Sequence, residues 1–188
     1  YNNIFLSAFV LLIINPMWLF NVGFQLSYSA LLSILYFQPK IAKWLVFKNR
    51  ILTYCWELTS VSIAAQLGAA PLCLYYFHQF PNYFLLSNFV GVPLSGIIIY
   101  LDVALLITNS IPMIGSIVSW LLVTTTKLMY GGLQIIENLP FVTTNIWIDS
   151  VQLILIYASV FAIGLLMYKI KYKYFLLFFV SAILFFGI

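Results

Sequence analysis

Residues 50–80 read RILTYCWELTSVSIAAQLGAAPLCLYYFHQF, and between Arg50 and His78 the one charged side chain is Glu57. An apolar run of this length exceeds the roughly 20 residues that carry an α-helix across a bilayer core. Working outward from Ile51–Phe77, comparable runs lie near Ile4–Ile14, Met17–Phe37, Phe84–Thr108, Ile111–Ile136, Val151–Tyr168 and Tyr174–Ile188. Of the 188 residues, 64% are hydrophobic and 6% charged, where a soluble domain carries roughly 25% charged. A globule of this size has too little interior to hide so much apolar surface, so lipid must cover the remainder. The expected fold class is an all-α polytopic membrane protein. It has about seven transmembrane or partly re-entrant helices, one per apolar run, some of them broken at Pro or Gly. The tight Asn15-Pro16 break leaves a re-entrant pair open for the first two runs. Both ends of the chain lie in apolar runs, and we expect a segment of one transmembrane domain, with flanking soluble domains outside it.

The net charge of +4 is not spread as a nucleic-acid footprint. Lys40, Lys43, Lys48 and Arg50 form one cluster, and Lys169, Lys171 and Lys173 another. Basic loops stay on the cytoplasmic side, which places loops 38–50 and 169–173 there. The even number of crossings between them puts both on the same face, an agreement that the span count did not require. His78–Tyr83 and Glu137–Ser150 are then outer turns, and Asn109–Ser110 an inner one. Pro140, Phe141 and Trp147 suit a loop lying along the outer interface. Lys40–Arg50, with Ile41, Trp44, Leu45 and Phe47 between its charges, reads as a short amphipathic helix on the inner leaflet.

Function classes fall away quickly. With one His and no paired Cys motif, a zinc site is not expected. On a continuous helix Cys55 and Cys73 would stand about 27 Å apart, beyond disulfide reach. No Gly-x-Ser-x-Gly, His-Glu-x-x-His or close aspartate pair is present, so no catalytic residue and no cofactor is expected.

Polar residues inside a membrane usually face protein or water. Gln25, Ser29 and Ser33 recur every four residues, a single helix face; Thr59, Ser62 and Gln66 do the same at spacings of three and four. Ser87, Gly91 and Ser95 form a small-residue stripe suited to a close helix approach, and Ala64 with Gly68 and Ala65 with Ala69 add another. Helix packing with satisfied hydrogen bonds and a wetted internal path both fit these stripes. Glu57 and Asp102 are intramembrane acids at similar expected depth, and Lys127 falls in the outer half with His78. An ion pair, snorkelling or a place on a path would each account for them. Pro71 and Pro93 free carbonyls in mid-membrane, tolerated only beside protein or water.

The ordered blocks within these runs carry a resemblance. Asn15-Pro16 followed by Val22-Gly23-Phe24-Gln25-Leu26-Ser27-Tyr28-Ser29-Ala30 resembles the "NP…D-x-GFQLSF-x-A" signature of the ComEC competence proteins. Ser62-Ile63-Ala64-Ala65-Gln66-Leu67, Pro71-Leu72 and Phe77-His78-Gln79-Phe80 resemble that family's "S-x-AAQL…PL…FHQF". Leu86-Ser87-Asn88 with Pro93-Leu94 is similar to its "L-x-N-x-x-x-x-PL". Asn21 departs from the pattern, which carries Asp there.

The resemblance implies a multi-spanning domain that passes single-stranded DNA across the bacterial inner membrane during natural transformation. It implies other competence proteins as partners and a possible homo-oligomer, and it places any nuclease in a domain outside this segment. On that reading Gln25, Ser29, Ser62, Gln66, His78, Asn88 and Lys127 line a path or polar interior, with Gln25, Gln66, His78 and Asn88 facing a common space. A proton-coupled small-molecule transporter, with Glu57 and Asp102 taking up protons, is the alternative. A structural anchor for soluble domains is a third reading.

Overall fold

The computed structural model describes residues 2–108, 112–168 and 172–187. Its helices are α1 (Asn2–Ile14), α2 (Val22–Ile41), α3 (Arg50–Phe77), α4 (Phe84–Thr108), α5 (Pro112–Glu137), α6 (Ser150–Tyr168) and α7 (Tyr172–Gly187), so the expected all-α membrane fold is the one observed. Short 3-10 turns occupy Pro16–Phe20 and Ala42–Trp44, and β1 (Gln79–Pro81) pairs with β2 (Thr143–Asn145). Among the described residues, four helices, α3 to α6, are long and apolar enough to cross a membrane. The expected inner turn at Asn109–Ser110 and most of the loop 169–173 lie outside the described residues.

Caps set the first boundaries and correct two expectations. The second run does not start a helix at Met17, because two Asn side chains divide it. Asn15 Oδ1 accepts from Met17 N–H at 3.0 Å and opens a 3-10 turn. Asn21 Oδ1 then accepts from the N–H groups of Gly23 and Phe24 at 2.8 and 3.3 Å and starts α2. Asp caps a helix as well as Asn does, so the departure at position 21 keeps the cap.

The second correction concerns Lys40–Arg50, which is not an amphipathic helix. The helical turn ends at Trp44, Leu45 is extended, and Asn49 Oδ1 caps α3 through Ile51 N–H at 2.9 Å. Side chains of α3 hold this connection: Trp56 Nε1–H donates to Ala42 O at 3.1 Å and Thr53 Oγ–H to Phe47 O at 3.2 Å. These bonds compete with a helix for the same carbonyls.

The chain forms two compact units, residues 1–80 with 144–188, and residues 81–143. In the first, burial is inverted relative to a soluble core. Ser60, Ser62, Ala64 and Gly68 are buried along α3, whereas Phe161 on α6 is 65% exposed. Small buried residues let helices approach closely while large apolar ones meet lipid. One apolar cluster does close, where Phe37 and Ile41 of α2 meet Ala64 of α3. Nearby, Lys40 Nζ lies 3.2 Å over the Tyr36 ring, a cation–π contact for a buried ammonium. The second unit is the α4–α5 hairpin, and none of α4 is buried.

Candidate functional site

The meeting of α2, α3 and α6 in the first unit is built around Gly68. A Cβ there would fall 2.6 Å from Ser33 Cβ and against the Ser29 backbone, so only glycine permits this approach. The expected Ala64–Gly68 packing face is therefore real, and its partner is the Ser29–Ser33 stripe of α2. Pro71 has no N–H for the Leu67 carbonyl, and the next carbonyl along, Gly68 O, accepts from Tyr157 Oη–H of α6 at 2.8 Å. Helix α3 runs through Pro71 without interruption, and α4 through Pro93. A second tie of the same kind joins α2 to α6, where Tyr36 Oη–H donates to Gly164 O at 2.7 Å. A Cβ at Gly164 would lie 2.9 Å from Tyr36 Cε1. Between these ties is a largely apolar cavity of about 620 Å³ touched by Ser29, Ser33, Tyr36 and Tyr157. Ser29 bonds Leu26 O on its own helix, while Ser33 Oγ is buried with no hydrogen-bond partner among the described residues.

The end of α3 carries the second feature. Tyr76 Oη–H donates to Gln25 Oε1 at 2.8 Å, and Gln25 Nε2–H donates to Leu19 O at 3.0 Å. The amide thus clamps the entry turn of α2 to the last turn of α3. Tyr75 lies within 3.3 Å of Ser150 Oγ at the start of α6. His78 ends α3 in the left-handed region, φ 55°, with its N–H on Leu74 O at 3.0 Å. Its carbonyl accepts from Ile146 N–H at 3.0 Å. This holds the imidazole against the indole of Trp147, with ring centroids 4.2 Å apart and planes 18° from parallel. Phe77, Gln79 and Asn145 complete a cavity of about 210 Å³ with these two rings.

Gln25, Ser29, Ser62, Gln66 and His78 belong to the first unit; Asn88 and Lys127 belong to the second. Ser62 donates to Leu58 O at 2.8 Å and Thr59 to Cys55 O at 2.8 Å, while Gln66 Nε2 is buried and unpaired among the described residues. Glu57 on α3, and Asp102 and Lys127 on α4 and α5, are exposed. Among the described residues there is no group of His, Cys, Asp and Glu fit to hold a metal. Three participants escaped the sequence reading. Tyr36 and Tyr157 sit in runs whose aromatics look like any others in a membrane. In sequence Trp147 suits an interfacial loop, and nothing links it to His78 across the intervening residues.

In the second unit a Cβ on Gly91, at the centre of the Ser87–Gly91–Ser95 stripe, would meet nothing within 4 Å among the described residues. The close approach of that hairpin is at Gly132 instead, where a Cβ would lie 2.8 Å from Val90 Cγ1.

Comparison with known proteins gives a family and a curated relative. Residues 1–172 match the family described as "Competence protein". Over 88 residues the chain is 40% identical to ComE operon protein 3 of Bacillus subtilis (strain 168), covering 47% of this chain and 10% of that protein. The matched region thus spans about a tenth of the relative's length. No solved structure matches.

Proposed function

We propose a function from one premise: this chain belongs to the competence protein family. It is a membrane-embedded component of DNA uptake, and the molecule it passes across the bacterial inner membrane is single-stranded DNA. Loops 38–50 and 169–173 face the cytoplasm on this reading, since both are basic. The segment is a conduit component without catalytic chemistry of its own, and it works with other competence proteins and, in one arrangement, a second copy of itself.

The observation that carries this reading is the meeting of two signature blocks. Gln25 from the first block bonds Tyr76, just ahead of the Phe77-His78-Gln79-Phe80 end of the second, at 2.8 Å. Ser29 of the first block lies against Gly68, between the first two of the three parts of the second. The two blocks therefore meet at two points along the α2–α3 contact, and the stacked rings of His78 and Trp147 lie at the end of α3; single strands are held by rings on which bases stack.

The test is uptake of fluorescent DNA by transformable cells whose competence protein carries Gln25→Ala, Gln66→Ala and His78→Ala, compared at equal membrane abundance. A loss of internalised label of about tenfold or more is expected; full uptake by the triple variant would defeat the proposal. Glu57→Gln with Asp102→Asn provides the opposing arm. Both acids are exposed and lie in different units. Retained DNA uptake in that pair is expected, whereas lost proton-driven uptake of a small solute would favour the transporter reading.

A further inference from the structure

Resting on the DNA reading, we propose that Trp147 and His78, with the amides of Gln79 and Asn145, form a seat for one unpaired nucleobase at the end of α3. Several independent features converge there. The indole of Trp147 is 77% exposed, yet its inner face is fixed by the imidazole at 4.2 Å. The backbone that carries the imidazole is itself fixed, because His78 is the left-handed cap of α3 and its carbonyl is bonded to Ile146. A pre-stacked pair of rings offers a rigid platform, and stacking on such a platform is open to any base.

The surroundings separate this seat from an ordinary interfacial tryptophan. A ring that anchors a protein at the lipid boundary does so at headgroup level, through its own amphipathic surface. Here the cavity of about 210 Å³ is flanked by two exposed primary amides, Gln79 and Asn145. Each offers one donor and one acceptor side by side, the pattern that pairs with the edge of a base. Phe77, 57% exposed, supplies a further apolar wall. The space suits one flat heteroaromatic ring system and is too small for a helix. Among the described residues no Lys or Arg lines it, so the seat would recognise the base and not the phosphate, and its contribution should be insensitive to salt.

The experiment uses the chain in lipid nanodiscs with three probes: an oligothymidylate, the same oligomer with abasic sites, and one carrying 5-iodouracil. Irradiation of the third should crosslink the oligomer to Trp147, located by peptide mass spectrometry. The abasic oligomer should bind about tenfold more weakly, and Trp147→Ala should lose a similar factor for the intact oligomer. Trp147→Phe keeps a ring and should retain most of the affinity. Equal binding of abasic and intact oligomers, or a crosslink elsewhere with none at Trp147, would overturn the seat while leaving DNA passage standing. Absence of binding by every oligomer would overturn both. The crosslink is read on the unsubstituted protein, so the result does not depend on the folding of a variant.

Discussion

Three hydroxyl contacts in each of the two units contrast in the partners they take. In the unit of residues 1–80 and 144–188, they cross between helices: Tyr157 reaches Gly68 O at 2.8 Å, Tyr36 reaches Gly164 O at 2.7 Å, and Ser159 meets Ser181 at 2.7 Å. In the unit of residues 81–143, Thr124, Thr125 and Thr126 each donate to a carbonyl four residues back on α5, at 2.8 Å. Both arrangements satisfy the hydroxyl, but only the first specifies which helix lies beside which. A bond within one helix survives any rotation of that helix; a bond to a neighbour's carbonyl does not. The first unit also holds the paired signature blocks, so the tighter specification coincides with the proposed path.

Five substitutions would break or sharpen this contrast, read by unfolding in mixed micelles and by local hydrogen exchange. The largest effect is expected for Gly68→Leu, which has no room beside Ser29 and Ser33 and should cost about 3 kcal/mol, opening α2 from α3. The same change at Gly91, which has open space around it, should be nearly silent; equal damage at both positions would erase the distinction. Gly132→Ala pushes on a movable Val90 methyl, and about 1.5 kcal/mol with faster exchange confined to α4 and α5 is the expected result. Tyr157→Phe leaves the ring and removes the bond to Gly68 O, for about 1 kcal/mol and faster exchange near Gly68. Thr125→Val on α5 should change stability by less than about 0.5 kcal/mol, since its hydroxyl organises no neighbour. A cost matching that of Tyr157→Phe would mean that α5 packs on a partner through that face.

Much of the fold was legible in advance for a simple reason. Without water in the bilayer core, backbone groups must pair within a helix, so apolar run length translates directly into helices. The observed bounds of α3 and α4 differ little from Ile51–Phe77 and Phe84–Thr108. Prediction failed where polar side chains, not hydropathy, set the boundary. Asn21 delays α2 past Met17–Phe20, and the Asn49 cap with the Trp56 and Thr53 bonds turns Lys40–Arg50 into a connection instead of an amphipathic helix. The site was half legible. Gln25, Ser29 and His78 were marked by spacing and motif, but their partners Tyr76, Gly68 and Trp147 were not identified, because a motif names residues without naming what they touch.

Composition and run length by themselves determined that this is a helical membrane protein, and three ordered blocks pointed to its family. They did so because hydrophobic length and residue order are properties of the chain taken alone. Tertiary structure decided which of several similar stripes is packed. Gln25–Ser29–Ser33 and Ser87–Gly91–Ser95 have the same spacing, yet Ser29 and Ser33 lie against Gly68 while a Cβ on Gly91 would meet nothing within 4 Å among the described residues. Periodicity selects a face of a helix; a face becomes an interface only when another helix presents a matching gap and a donor for its exposed carbonyl.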